Sequence, residues 1–366
     1  MSIQVCYKQQ DGFAPFLAAV AGKRVAVLYD VNTASYAESI RMQLKAAGCL
    51  IANVPYADEE LLPTEDKCAK AQVAANAVDY VLAVGSGTLN DMAKSVATRA
   101  GVPSGVLATA ASMDGYCSAG AALMRDGFKV TDTVNPPAHV LIDPEVIATA
   151  PRIMTAAGFG DIIGKYTCLA DWQLSHIVNG EQIHKEAFDM MLQAREACMA
   201  AYDGLVQNDP AAVQKLTDAL ITAGLSMARC GNSRPASGSE HHQSHYLEMD
   251  FARRGEPIPM HGIKVGIGTL VSLWLYEYIE KNRIACKNAE QVYALCRSLP
   301  RWQQVRDMLC GMGCPVRFSE IGVREQTMHN MIRDAHTVRD RYTVLTLIHE
   351  LDLTNAVTPA LMELFY

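Results

Sequence analysis

The sequence predicts an α/β protein of two domains, an N-terminal domain with a parallel sheet (residues 1–150) and an all-helical C-terminal domain (residues 151–366). The length of 366 residues exceeds what one hydrophobic core usually serves. The first ~145 residues alternate short apolar runs with helical patterns, which is typical of βα units. Beyond residue 150, long amphipathic stretches dominate and strand-like runs are rare.

Within the N-terminal domain, each strand is an apolar run and each helix an amphipathic run that follows it. Thr64 is a plausible N-cap for one of these helices, because its side-chain oxygen could accept a backbone N–H. We predict strands over 24–30, 49–54, 79–84 and 106–108, and helices over 34–47, 64–77 and 92–100.

The C-terminal domain carries helical periodicity interrupted by turn residues such as Asn208-Asp209-Pro210. The chain after about Pro300 shows no motif of its own, so we expect helical packing that completes the domain. We predict helices over 187–202, 210–228, 265–280, 289–299 and 338–351.

The composition indicates a globular protein and argues against nucleic-acid-binding and membrane proteins. Half of the residues are apolar and only 19% are charged, so there is ample material for packed interiors. A net charge of −7 argues against a nucleic-acid partner or an anionic membrane surface. No apolar run reaches the ~20 residues of a membrane span, and residues 1–8 lack the basic-then-apolar pattern of a signal sequence. We therefore expect a cytoplasmic protein whose 11 cysteines are reduced thiols.

A glycine-rich turn joins a predicted strand to a predicted helix. Glycines let a phosphate approach the backbone closely, and the helix N-terminus supplies free N–H groups. A tight turn without a ligand is the alternative, since the full Gly-x-Gly-x-x-Gly spacing is absent. The residues of the turn are Gly85, Ser86, Gly87, Thr88, Leu89, Asn90 and Asp91.

Two further strand ends carry polar residues. Asp30 could bind the ribose hydroxyls of a dinucleotide and would favour NAD over NADP, or it could be a turn aspartate. Asp114 could hold a polyol hydroxyl, and the hydroxyls before it could hold a cofactor, although a polar loop with a helix cap would look the same. The loop before Asp114 comprises Thr109, Ala110, Ala111, Ser112 and Met113.

Asp161, His241 and His261 are the candidate metal ligands. A carboxylate and two imidazoles suit zinc and tolerate nickel or iron, and three protein ligands leave one coordination position open. Four of the ten histidines lie between residues 241 and 261. If this stretch is helical, His245 shares a helical face with His241, and His242 then points elsewhere. A polar helix face with an unrelated loop histidine is the alternative.

These motifs follow one another along the chain in the order in which they occur in the sn-glycerol-1-phosphate dehydrogenases. The chain resembles this family, particularly its bacterial branch. These dehydrogenases belong to a superfamily with iron-containing alcohol dehydrogenases, glycerol dehydrogenases and dehydroquinate synthases. The matching segments are Gly-Ser-Gly-Thr-Leu-Asn-Asp at 85–91, Thr-Ala-Ala-Ser-Met-Asp-Gly-Tyr at 109–116, Ala-Ala-Gly-Phe-Gly-Asp-Ile-Ile-Gly-Lys-Tyr-Thr at 156–167, Ala-Asp-Trp at 170–172, Gly-Ser-Glu-His-His-Gln-Ser-His at 238–245 and His-Gly-Ile-Lys-Val-Gly at 261–266.

The resemblance implies a dehydroquinate synthase-like fold, in which a Rossmann-like domain and an all-α domain flank the active site. It implies that the glycine turn binds the pyrophosphate of NAD or NADP and that Thr109, Ser112 and Ser118 are cofactor residues. It places Asp114 and His245 at the substrate, and Asp161, His241 and His261 at the metal, with Asp161 also near substrate. The metal is typically zinc, with nickel reported in the bacterial branch.

The activity that the resemblance implies is reversible reduction of dihydroxyacetone phosphate to sn-glycerol 1-phosphate. His245 is the candidate proton relay, since the reference pKa of histidine lies near neutrality. The substrate phosphate requires a cation, for which Lys165 and Lys264 are candidates. Glycerol or another polyol is the alternative substrate, and a lyase related to dehydroquinate synthase would need a richer cluster of Lys and Arg. The resemblance also implies a homo-oligomer such as a dimer.

Overall fold

The structure is a computed structural model that describes residues 3–125 and 128–366. The chain divides into two compact units. The first contains the residues up to Pro151 together with Asp209–Gln214, and the second contains Arg152–Asn208 and Lys215–Tyr366. No helix among the described residues combines the length and the apolar character that a membrane crossing requires.

A six-stranded parallel sheet forms the centre of the first unit. Its strands are β1 (Gln4–Tyr7), β2 (Arg24–Tyr29), β3 (Leu50–Pro55), β4 (Tyr80–Gly85), β5 (Ser104–Ala108) and β8 (His139–Ile142). Strands β6 (Gly120–Arg125) and β7 (Phe128–Thr133) pair separately as an antiparallel hairpin. The helices are α1 (Lys8–Asp11), α2 (Ala14–Val20), α3 (Ala34–Ala46), α4 (Glu65–Ala75), α5 (Gly87–Ala100) and α6 (Pro144–Ala148).

The strand order β1-β8-β5-β4-β2-β3 explains why three polar segments come together. The chain leaves β2 towards one edge of the sheet and returns at β4, which is the point where such sheets bind ligands at the carboxyl ends of their strands. Asp30 follows β2, Gly85 ends β4 and Thr109 follows β5. Because Gly85 is in register with Ala108, these segments lie at neighbouring strand ends.

Most of the predicted elements of this unit are present with ends shifted by a few residues. Helix α5 differs, because it begins at Gly87 and not at Met92. The glycine turn is therefore short, and five of its seven residues, Gly87 to Asp91, already belong to the helix. Strands β1 and β8 escaped prediction because four residues are too few to establish a period of two.

The regular elements of the second unit are all helices among the residues that the structure describes, joined by turns and irregular segments. Its helices are α7 (Arg152–Ile163), α8 (Lys165–Asn179), α9 (Lys185–Ala200), α10 (Tyr202–Val206), α11 (Pro210–Cys230, which begins in the segment grouped with the first unit), α12 (Ser239–Arg254), α13 (His261–Lys281), α14 (Ala289–Ser298), α15 (Trp302–Gly311), α16 (Glu325–Asp334), α17 (Val344–Glu350) and α18 (Thr354–Phe365).

The helix predicted over 338–351 is wrong in its first half. A 3-10 turn covers Ala335–Thr337, residues 338–343 are irregular, and α17 starts only at Val344. Thr343 forms a capping box with Thr346 at that point, which specifies where the helix begins. The irregular segment carries Arg339 and Arg341.

Candidate metal centre and cofactor turn

The structure brings the three candidate metal ligands together from three helices. Asp161 lies within α7, His241 lies in the first turn of α12, and His261 is the first residue of α13. One ligand atom from each lies within 4.8 Å of the other two. Nε2 of His241 is 3.8 Å from Oδ1 of Asp161. This N/O set with three protein ligands fits a divalent cation with an open position.

Glycines next to the ligands allow these helices to converge. A Cβ atom on Gly160 would lie 2.3 Å from the carbonyl oxygen of Gly262. Gly160, which precedes Asp161 in α7, thus contacts the backbone of Gly262, which follows His261 in α13. Only residues without side chains allow α7 and α13 to approach this closely, and the approach places Asp161 beside His261.

Glu240 orients His241. The Nδ1 atom of His241 donates to Oε1 of Glu240 at 2.7 Å, which leaves Nε2 as the atom that can bind a cation. Glu240 also accepts from Thr167 at 2.5 Å and from the backbone N–H of Gly238 at 2.7 Å. Burial raises the pKa of Glu240 to about 7, while burial and then the charge of Lys165 lower the pKa of His241.

Glu248 connects two imidazoles. Its Oε1 lies 3.2 Å from Nδ1 of His261, and its Oε2 lies 3.1 Å from Nδ1 of His245. When both rings donate through Nδ1, the Nε2 atoms of His245 and His261 are the acceptors. A carboxylate behind each metal-binding imidazole is the usual arrangement around a protein-bound metal.

Both lysines expected to meet a substrate phosphate are fully buried and already bonded within this cluster. Nζ of Lys165 donates to Oδ1 of Asp161 and to the carbonyl oxygen of Ala236, both at 2.9 Å. Nζ of Lys264 lies 3.4 Å from Glu248 and donates to the carbonyl oxygen of Pro259. These lysines balance the charge of the carboxylates that surround the metal ligands.

His245 differs from the expectation of a ring that titrates near neutrality. Burial is the main cause that lowers its pKa to about 4, although the neighbouring Glu248 acts in the opposite direction. Nη2 of Arg339 donates to Nε2 of His245 at 2.9 Å, which requires a neutral ring at that nitrogen. His242 is fully buried and does not belong to the cluster of metal-ligand candidates.

The glycine turn has the geometry of an anion-binding βα turn. Gly85 ends β4, Ser86 is the N-cap of α5, and Gly87 begins the helix. A Cβ on Gly85 would lie 2.4 Å from Cδ1 of Leu89, so this position requires glycine. The first turn, Gly87 to Leu89, presents N–H groups that no residue four positions earlier in the helix can accept.

Asn90 and Asp91 connect α5 to the loop that follows β5 and to strand β6. The amide of Asn90 donates to the carbonyl oxygens of Gly115 and Tyr116, both at 3.4 Å. Asp91 accepts from the backbone N–H of Ala122 at 2.8 Å through Oδ2. The carboxylate of Asp91 also forms an ion pair with Lys94.

Lys94 is a fully buried cation that the sequence analysis did not identify. Its Nζ lies 2.9 Å from Asp91 and donates to the carbonyl oxygens of Gly115 and Gly120 at 3.0 and 2.6 Å. It also donates to Oγ of Ser118 at 3.3 Å. Lys94 therefore holds the segment that contains Ser118 against the first turns of α5.

The predicted loop after β5 lies at the carboxyl edge of the sheet. Thr109 is buried and donates its backbone N–H to Gly85 at 3.2 Å. The hydroxyl of Tyr116 donates to the carbonyl oxygen of Ala110 at 2.7 Å. Asp114 is buried and precedes the 3-10 turn Gly115–Cys117. Ala111 is buried and Ser112 is partly exposed.

The carboxylate of Asp30 accepts hydrogen bonds within the turn that follows β2. Its Oδ1 accepts from the backbone N–H of Thr33 at 2.9 Å and from the hydroxyl of Thr33 at 3.0 Å. This is the turn interaction that the sequence analysis kept as the alternative. The carboxylate remains partly exposed at the carboxyl end of β2.

Three residues around the candidate metal ligands and His245 were not identified as site residues from the sequence. Glu240 adjoins His241, and Glu248 is three residues from His245 on a helix, so both offered a local signal. Arg339 offered none, because it lies 94 residues from the histidine that it contacts.

Comparison with known proteins gives consistent results. A family model described as iron-containing alcohol dehydrogenase matches residues 9–151. A glycerol-1-phosphate dehydrogenase (NAD(P)+) of Halalkalibacterium halodurans is 34% identical over 89% of this chain and 86% of its own length. The protein of the same name from Bacillus velezensis is 36% identical over 75% of this chain and 71% of its own length.

Solved structures agree in fold. A crystal structure of glycerol dehydrogenase from Schizosaccharomyces pombe is similar over 99% of this chain and 90% of its own, with a TM-score of 0.71 and 16% identity. At that identity the similarity concerns the fold alone.

Proposed function

This chain belongs to the glycerol-1-phosphate dehydrogenase family, and we propose that it catalyses the reversible, NAD(P)-linked and metal-dependent reduction of dihydroxyacetone phosphate to sn-glycerol 1-phosphate. The observation that carries the metal-dependent chemistry is the convergence of Asp161, His241 and His261, whose ligand atoms lie within 4.8 Å of one another. The relatives named glycerol-1-phosphate dehydrogenase align with most of this chain. Their names support the proposal that dihydroxyacetone phosphate is the substrate.

Asp161, His241 and His261 would hold one divalent metal, for which zinc is our first choice and nickel or iron the alternatives. The fit rests on the donor set and on the two carboxylates behind it. Glu240 and Glu248 bind Nδ1 of the two imidazoles and leave each Nε2 as a donor atom. Lys165 donates to Oδ1 of Asp161 and would compete with a cation for that oxygen, so the other carboxylate oxygen or a small shift is required.

A bound divalent metal polarises a carbonyl oxygen, and a bound nicotinamide carries the hydride. The chain must bind the triose, orient it and move one proton. His245 is the residue that we propose as the relay between water and the substrate oxygen. Glu248 supports this role, because its carboxylate at Nδ1 holds the ring in one orientation and stabilises the imidazolium while the proton is in passage.

The first unit would bind the dinucleotide at the carboxyl ends of β2, β4 and β5. The turn at Gly85 and Gly87 offers free N–H groups for the pyrophosphate. Asp30 favours NAD over NADP, because a carboxylate accepts ribose hydroxyls and repels a 2′-phosphate. The substitution Asp30→Asn can keep the hydrogen bond to Thr33 and removes the charge. We expect the ratio of kcat/KM for NADH over NADPH to fall, and an unchanged ratio would contradict this role of Asp30.

The deciding experiment follows NADH oxidation with dihydroxyacetone phosphate, dihydroxyacetone and glyceraldehyde 3-phosphate. Each is measured on the purified protein, after chelation, and after addition of zinc or nickel. Activity confined to dihydroxyacetone phosphate, lost on chelation and restored by metal, supports the proposal. Activity with dihydroxyacetone alone would indicate a glycerol or polyol dehydrogenase, and full activity in the chelated protein would rule out the role of the metal.

Family resemblance also leads us to propose a homodimer. Light scattering on the purified chain tests this proposal, with an expected mass about twice the 39.8 kDa of one chain. A mass of a single chain at assay concentrations would contradict it.

A further inference from the structure

Two arginines of one irregular segment converge on a single hydroxyl. Arg339 and Arg341 lie between the 3-10 turn at residues 335–337 and α17, and both are half-buried. Arg339 donates to Oγ of Ser233 at 3.1 Å, and Arg341 donates to the same atom at 2.7 Å. Arg341 also donates to the carbonyl oxygen of Ser237 at 3.0 Å. Two guanidinium groups are thus held close together by neutral acceptors.

Among the described residues, carboxylates act on this pair without contacting it directly: Glu248 acts on Arg339, and Glu181 acts on Arg341. Within residues 3–125 and 128–366, neither Arg339 nor Arg341 forms an ion pair with a carboxylate, whereas the neighbouring Arg234 is paired with Glu181 at 2.9 Å. Burial, followed by the charges of Arg339 and Arg234, lowers the pKa of Arg341 to about 10. Partly buried cations without a counter-ion are costly, and a bound anion would relieve that cost.

The pair adjoins the candidate metal centre. Nη2 of Arg339 is 2.9 Å from Nε2 of His245. The ring of His245 lies 5.7 Å from that of His261, measured between centroids. Glu248 is the carboxylate whose charge acts on Arg339, but it is already hydrogen-bonded to both of these histidines. An anion beside Arg339 would therefore lie next to His245, whose ring neighbours the candidate metal ligand His261.

Buried polar groups next to the arginines support a ligand at this place. Among the described residues, Nη1 of Arg234, Oγ of Ser237 and both ring nitrogens of His242 are buried and have no hydrogen-bond partner. Burial is the main cause that lowers the pKa of His242, and the charges of Arg339 and Arg341 lower this pKa further. Buried polar atoms without partners are rare in proteins, and an oxyanion could accept from several donors at once.

We propose that Arg339 and Arg341 bind the phosphate group of the substrate and thereby select phosphorylated trioses over free ones. This inference rests on the proposed function and specifies its substrate-binding residues. The planar fork of arginine matches phosphate oxygens in pairs, and a few bonds separate the carbonyl of a triose phosphate from its phosphate. Binding would draw Arg339 from His245 to the phosphate and leave Nε2 of His245 open to the substrate oxygen.

The test compares kcat/KM for dihydroxyacetone phosphate and for dihydroxyacetone in the zinc-loaded protein and in Arg339→Gln and Arg341→Gln. The expected result is a loss that is about 10- to 100-fold larger with the phosphorylated substrate, since a charged hydrogen bond to phosphate is absent with the other. Arg339→Lys keeps the charge without the fork and should lose less than Arg339→Gln. Arg333→Gln is the control, because Arg333 is exposed and paired with Asp334, and it should behave as the unsubstituted protein.

Calorimetry with inorganic phosphate separates this inference from the proposed function. If the unsubstituted protein fails to reduce dihydroxyacetone phosphate, the proposed function is wrong. The arginine site still stands in that case if phosphate binds the protein and fails to bind the two glutamine variants. If the protein is active and both variants lose activity equally with the two substrates, or bind phosphate unchanged, the arginines only hold the segment to Ser233 and the inference is overturned.

Discussion

The backbone of Gly262 lies directly against the carbonyl oxygen of Ala157, so that a Cβ atom on Gly262 would stand 1.8 Å from that oxygen. This contact joins the first turn of α13 to α7 one residue from His261 and four residues from Asp161. The position of two metal-ligand candidates therefore depends on a residue that contributes no side chain.

Gly262→Ala is expected to separate α13 from α7, because backbone atoms cannot move aside as a side chain can. We expect destabilisation of at least about 1–3 kcal/mol and a lower zinc content. Gly266→Ala in the same helix is the control, since its nearest neighbour is the movable end of Leu309 at 3.2 Å. Thermal unfolding and metal analysis measure both effects, and equal behaviour of the two variants would contradict the argument.

His241→Ala and His245→Ala are expected to have different consequences. Removing His241 deletes a metal ligand, so both zinc content and activity should be lost. Removing His245 should lower turnover while zinc remains bound, because its ring bonds to Glu248 and Arg339 and is not one of the three ligand candidates. Metal analysis and single-turnover rates distinguish them. Loss of zinc in His245→Ala would make this residue a ligand instead.

Glu248→Gln should weaken metal binding without removing a ligand. The amide cannot accept from His245 and His261 with the strength of a carboxylate, so the orientation of both rings is relaxed. We expect a loss of about 10- to 100-fold in zinc affinity, measured by competition with a chelating dye. Glu290→Gln alters an exposed carboxylate as the control. Unchanged affinity in Glu248→Gln would show that the two hydrogen bonds are dispensable.

Asp171→Ala should destabilise the second unit strongly. Its carboxylate accepts from the hydroxyl of Tyr276 at 2.6 Å and from the backbone N–H groups of Ser239 and Val344 at 2.6 and 2.8 Å. It thus fixes the starts of α12 and α17, and its loss leaves three buried donors that each cost about 1–3 kcal/mol. Denaturant unfolding measures this loss. Asp189→Ala, which removes an exposed ion pair, should cost less than about 1 kcal/mol.

Lys94→Met should impair cofactor binding more than the metal site. The substitution removes the cation that holds Gly115, Ser118 and Gly120 against α5, and it leaves Asp91 unpaired. We expect a several-fold higher KM for NADH and a loss of about 1–3 kcal/mol in stability, with zinc content retained. Lys45→Met, at an exposed position of α3, is the control. An unchanged KM would mean that this loop does not touch the cofactor.

Four cations lie near the candidate metal ligands, more than the sequence indicated. A lyase related to dehydroquinate synthase was disfavoured because too few Lys and Arg residues could be assigned to the site. The structure supplies Lys165, Lys264, Arg339 and Arg341 near the metal-ligand candidates. The number of cations therefore no longer argues against a lyase. The assignment to the glycerol-1-phosphate dehydrogenase family rests on the relatives at 31–36% identity.

The helical packing expected after about Pro300 is present as α15 to α18, and residues of this part of the chain also contact the surroundings of the candidate metal ligands. Arg339 reaches His245, and Val344 donates to Asp171. Sequence patterns could not show this, because the segment 338–343 has no period of its own and its arginines resemble surface residues until their partners are known.

The sequence alone determined the alternation of strands and helices, the glycine at the end of β4 and the residue types of the metal set. Each of these follows from local chemistry, since periodicity, backbone freedom and ligand preference belong to a residue and its near neighbours. The tertiary structure decided which groups surround those residues. Glu248 bridges two histidines, Lys94 organises the loop beside α5, and Arg339 meets His245, because packing brings together side chains whose separation along the chain carries no signal.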